Sequence, residues 1–160
     1  MSHINTPTKT YKEVTVNTAS QGKLILMLFD GAIKRAEEAI RHIENNNIEF
    51  VHKNLIRAQE IIAELRSSLN MEVGGEISKN LDKIYEYIHY LLVQGNLKKD
   101  SKPIKESIEY MKSMRDTWKE AFDIYHKEIA NKTNTESQDV NLTKEKTSVA
   151  PSKSAVDLSV

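Results

Sequence analysis

The sequence contains no cysteine, so disulfide scaffolding, thiolate catalysis and cysteine-based metal sites are all excluded. Three prolines and five glycines in 160 residues leave few points at which a helix must stop. Pro7, Gly74-Gly75, Gly95, Pro103 and Pro151 lie at or near the ends of periodic segments, as punctuation does. Net charge is absent as well: 23 basic side chains face 23 acidic ones, which argues against a phosphate-backbone binder and so against nucleic acid as a partner. No apolar run approaches the roughly 18 residues of a membrane span, and MSHINTPTKTYKEV carries no apolar signal core. The expectation is a cytoplasmic chain without membrane insertion.

What is present is helical periodicity. Hydrophobic residues make up 39% of the chain, enough for one core at this length but not comfortably for two. The spacing predicts a first helix from after Ser20, as its N-cap, to about Glu44, with Ile25, Leu28, Phe29, Ala32, Ala36, Ala39, Ile40 and Ile43 on one stripe. Asn45-Asn46-Asn47 ends it. A second helix over about 48–70 repeats the pattern with Val51, Leu55, Ala58, Ile62, Leu65 and Leu69. A third, about 76–94, carries Ile77, Leu81, Ile84, Ile88 and Leu91. A fourth starts near Pro103 and presents Ile104, Ile108, Met111, Trp118, Phe122, Tyr125 and Ile129. Short connections between long helices imply antiparallel neighbours. The fold class is therefore all-α, an up-down four-helix bundle over 19–130. It is preceded by an arm at 1–18, extended, loosely structured or a short fifth helix, and followed by a disordered tail at 131–160 rich in Ser, Thr, Lys and Asn.

Nothing in the pattern assembles a catalytic site, and no cofactor is expected. Two Glu-x-x-His matches, Glu49 to His52 and Glu86 to His89, have the spacing that di-metal bundles use. Winding each helix at about 100° per residue turns them away from the apolar stripes and toward water. Helices one and four supply no inward glutamate to complete such a site. His3, His42 and His126 are isolated, and no Gly-rich phosphate loop occurs. Lys34-Arg35 and Lys98-Lys99 read as single surface steps beside acids such as Glu37 and Asp100. Arg115 falls within the fourth stripe, where its stem can pack while its head pairs with a carboxylate, or else anchors a partner's acid.

Excess apolar surface is the feature left over. The run Leu24 to Phe29 covers more than one helix face, and Met27, Ile56, Tyr90 and Ile124 lie roughly 140° or more from their main stripes by the same winding. Such residues suit a groove for an amphipathic partner helix, or a self-associating structural bundle.

The stretch from Tyr11 through VNTAS (Val16 to Ser20) into GKLILMLFDG (Gly22 to Gly31) resembles the N-terminal signature of the FliS family of flagellar secretion chaperones. NLIRAQEIIAEL (Asn54 to Leu65), Leu69-Asn70 and RDTWKEA (Arg115 to Ala121) match in order and separation. Gln21 and Lys23 depart from the family's usual Pro and Glu, which weakens a capping box at the helix start. The resemblance implies a non-enzymatic chaperone that holds the C-terminal segment of flagellin in the cytoplasm, prevents its polymerisation and delivers it to the flagellar type III export apparatus. It further implies that the arm, through Tyr11, packs on the bundle and shifts when the client arrives. Contacts with the export gate and with regulators of flagellin synthesis belong to the same expectation. Candidate flagellin-binding residues are Tyr11 and Val16 in the arm with Leu24, Met27, Ile56, Tyr90 and Ile124 on the bundle.

Overall fold

The computed structural model describes the backbone of residues 7–149 and the side chains of residues 20–142. Four helices account for nearly all of it, with no strand among the described residues: α1 (Pro7–Glu44), α2 (Ile48–Ser67), α3 (Met71–Lys98) and α4 (Ser101–Val149). The chain divides into one unit up to Glu120 and a second from Ala121 onward.

Within the first unit the helices form an antiparallel bundle, and cross-helix side-chain pairs give its directions. His52 bonds to Asn96 while Arg66, later in α2, pairs with Asp82, earlier in α3. Arg115 of α4 meets Asp30 at 2.5 Å and Lys112 meets Glu37 at 3.8 Å, so α4 also runs against α1. Tyr87 donates to Glu106 at 2.9 Å and Trp118 Nε1 donates to the Tyr85 hydroxyl at 2.8 Å, joining α3 to α4. Arg115 thus takes the first of its two expected roles, a head paired with a carboxylate.

The predicted stripes form the core. Phe29, Ala32, Ala36, Ala39, Val51, Leu55, Ala58, Ile62, Leu65, Ile88, Ile104, Ile108 and Met111 are buried, and Trp118 packs partly buried against them. Ile33, Ile61, Tyr85, Leu92 and Met114 join this cluster without having been on the stripes, because each bundle helix touches two neighbours and buries a band wider than one line. At about 1.5–3 kcal/mol for each fully buried large side chain, this band supplies the main folding drive. The bridge from Arg66 holds the Asp82 carboxyl below its usual range, and burial raises the phenol of Tyr85.

Three boundaries differ from the sequence reading. α1 starts at Pro7, so Ser20 is an exposed residue inside a helix rather than its cap, and the arm over 7–18 is helical. Proline suits a first turn, and extending an existing helix avoids the unfavourable nucleus that an isolated segment rich in Thr and Val would need. The side chains of Tyr11 and Val16 lie outside the described ones. α3 starts at Met71, capped by the Asn70 side chain, which accepts from the amides of Glu72 and Val73. The permissive backbone expected at Gly74-Gly75 is there, at Gly75 with φ 51° and ψ −126°, where it separates a short first piece of α3 from the long helix expected from about residue 76. Ile77, just beyond the break, is 72% exposed and not a core residue. α4 runs past the expected end near 130 to Val149, and every described side chain from 130 to 142 is exposed, as a segment without an apolar stripe requires. Tyr125 is also exposed. Residues 150–160 of the expected tail are outside the described residues.

Candidate functional site

The core stripe of α1 leaves a second face for other uses. Leu24, Met27, Leu28, Gly31, Arg35, Glu38 and His42 recur at three- and four-residue steps along it and line one wall of a groove of about 590 Å³. Asn54, Arg57 and Ile61 of α2 form the opposite wall. From Leu24 to His42 the α1 wall is about 27 Å long at 1.5 Å per residue. Beyond Leu24 the concavity continues over Ser20, Gln21 and Lys23, sharing Leu24 and Met27 with the main groove. Leu24 and Met27 are 56% and 59% exposed. A Cβ added at Gly31 would meet only the Ile61 side chain at 3.6 Å, an ordinary contact. The groove is therefore open at Gly31, where glycine contributes no side chain to fill it.

The two ends of this groove differ chemically. Leu24, Met27, Leu28 and Ile61 are apolar; Lys34, Arg35 and Arg57 collect further along, with Glu38 engaged by Arg41. Arg57 pairs with Glu60 at 3.0 Å. Arg35 donates instead to the side-chain oxygen of Asn54 at 3.3 Å, and the Asn54 amide donates to the Phe50 carbonyl at 2.8 Å. Asn54 is buried, so Arg35 is held by a neutral acceptor fixed in the groove wall.

The remaining candidates are not brought together. Ile56 is about 100° round α2 from Arg57 and one turn after His52, which bonds to α3, so it sits on the other edge of α2. Tyr90 is 54% exposed on α3, stacked on Tyr87, whose ring meets Tyr110 edge-on at 5.4 Å. Ile124 is exposed in the second unit. A separate hollow of about 330 Å³ lies among Ile25, Leu65, Leu69, Ile77, Leu81 and Trp118. Sequence reasoning missed it by placing Ile77 in the core.

The two Glu-x-x-His matches have other partners: Glu49 pairs with Lys53, Glu86 with Arg66, and His52 with Asn96. Among the described residues no group of three or more His, Asp or Glu could hold a metal ion. No described helix is long and apolar enough to cross a membrane.

Comparison with known proteins gives a consistent result. The family described as flagellar protein FliS matches residues 4–125. The chain is similar to the flagellar secretion chaperone FliS of Bacillus subtilis, 40% identical over 118 residues that cover 74% of this chain and 87% of that one. The chaperone of the same name from Vibrio cholerae is 35% identical over 72% of this chain and 88% of its own. That of Escherichia coli is 36% identical over 68% and 81%.

Proposed function

We propose that this chain, which belongs to the FliS family, holds the C-terminal segment of flagellin in the α1–α2 groove. Its family makes it a chaperone of flagellar export with a flagellar substrate, and not an enzyme. The finer reading is that it works in the cytoplasm, keeps the client from polymerising and delivers it to the type III export apparatus. Docking at the export gate and contacts with regulators of flagellin synthesis extend the same reading. The observation that carries it is the groove itself, an exposed apolar strip on a helix whose other face already serves the core.

A disordered client loses entropy when it orders, so a short contact would bind weakly. A helix laid along about 27 Å of α1 buries apolar surface at the Leu24 end and makes polar contacts at the other, and together these offset that loss. Leu24 and Met27 are the central contacts in this reading. Ile56 and Tyr90 are reached by a client that wraps beyond the groove, Tyr11 and Val16 contribute from the helical arm, and Ile124 is a separate candidate contact within the second unit.

The test is calorimetry of the purified full chain against a flagellin C-terminal peptide. A discrete complex with a large negative heat-capacity change is expected. Replacing Leu24 and Met27 together by Ser should weaken it at least tenfold without changing the melting curve, since both side chains are exposed. Unchanged affinity in that variant would remove the client from the groove, and a chain that oligomerises and ignores the peptide would favour a self-associating bundle.

A further inference from the structure

Arg35 differs from the other arginines of the chain. Arg41 bridges to Glu38, Arg57 to Glu60, Arg66 to Asp82 and Glu86, and Arg115 to Asp30 and Asp116. Among the described residues Arg35 alone is an arginine with no carboxylate in bridging distance; its guanidinium rests on the oxygen of Asn54. A guanidinium has five donors in a planar fork, and one neutral acceptor leaves most of them unused. Lys34 beside it on α1 lines the same groove, and no carboxylate bridges it among the described residues.

From these observations we infer that Arg35 is a client-reading residue: it receives a carboxylate from the helix that occupies the α1–α2 groove. This rests on the groove being the client site and adds the chemistry of the client. The apolar anchors Met27 and Leu28 precede Arg35 by seven or eight residues, two helical turns, or about 11 Å along the axis. The matching client is an amphipathic helix with an Asp or Glu about two turns from its buried apolar residues. Charge complementarity selects that helix over an equally apolar one without the acid, because the carboxylate forms a charge-assisted, forked bond with a guanidinium that Asn54 already orients. Asn54 acts as a positioning residue; Lys34 adds field at the same end of the groove.

The experiment titrates full-length Arg35→Gln and Arg35→Lys with the flagellin C-terminal peptide at low and high salt. Each client Asp or Glu is also replaced by its amide in turn. Arg35→Gln should lose roughly tenfold in affinity at low salt, the lower end for a hydrogen bond to a charged group, with a shallower salt dependence. Arg35→Lys should recover part of the loss. One client carboxylate should stop mattering once Arg35 is gone, the signature of a direct pair. If Arg35→Gln binds like wild type, or if it weakens binding equally for every client variant and leaves the salt dependence unchanged, the inference is overturned. The Leu24 and Met27 double variant separates the two ideas. Loss of binding there with Arg35→Gln unaffected refutes the carboxylate alone; binding in both refutes the groove as well.

Discussion

Trp118 and Tyr85 share one hydrogen bond, and the two ends of it are not equivalent. Tyr85 is 1% exposed, so its hydroxyl depends on Trp118 Nε1; Trp118 is only partly buried, so it loses less when this partner is removed. Replacing Tyr85 by Phe should therefore cost about 0.5–1.5 kcal/mol, the net value of one bond. Replacing Trp118 by Phe strands a buried hydroxyl, which costs about 1–3 kcal/mol, and also gives up indole surface at about 25 cal/mol per Å². The tryptophan variant should be the less stable by about 1 kcal/mol, or about 2–4 °C in Tm at this chain length. Because Trp118 is the sole tryptophan, its fluorescence cannot report on both variants; urea titration followed by far-ultraviolet circular dichroism can. Equal losses, or a larger loss for Tyr85→Phe, would refute the argument, since they would mean that water reaches the phenol or that the indole contributes little to the core.

Two glycines should respond in opposite ways. Gly31→Ala should stabilise by about 0.5–1 kcal/mol through helix propensity, while Gly95→Ala should destabilise by about 1–3 kcal/mol. The second Cβ would come to 2.4 Å from Cγ1 of the fully buried Ile104, and thermal melts of the two variants check both signs. Asn70→Ala should cost about 0.5–2 kcal/mol by removing the α3 cap, measured as a shift in urea midpoint. Burial raises the Tyr85 pKa above its ordinary value near 10, so its contribution is intact below pH 10. It is lost as pH climbs toward the raised value, because the unfolded chain releases the proton first. Tyr85→Phe should accordingly show a smaller alkaline loss of stability than wild type.

Much of the bundle was legible because its physics is periodic. Val51, Leu55, Ala58, Ile62 and Leu65 declare their face by spacing alone, and all five are buried. Ile77 misled because it stands in the first turn after the break at Gly75, where spacing still places it on the stripe but the neighbouring helices leave the hollow beside Leu69 and Trp118 instead of packing over it. The start of α1 was hidden for a different reason: local composition disfavours helix over 7–18, whereas continuity with a formed helix does not. Of the candidate site, Leu24 and Met27 could be found because they are apolar and off the main stripe. Arg35 could not, since it looked like a surface step beside Glu37, and Glu37 is in fact bridged by Lys112 from α4. Which acids lie opposite a given base is tertiary information.

The amide of Asn54 has an evolutionary consequence. Asparagine and aspartate differ by one small group, so the acceptor beneath Arg35 lies a single substitution from being a carboxylate. Asn54→Asp would neutralise the guanidinium from within, giving up the amide bond to the Phe50 carbonyl and closing the arginine to outside acids. A lineage that made this change could drop the acidic residue from its client with little loss, and one that kept asparagine could not. The pair at positions 35 and 54 should therefore vary in step with the charge of the client helix.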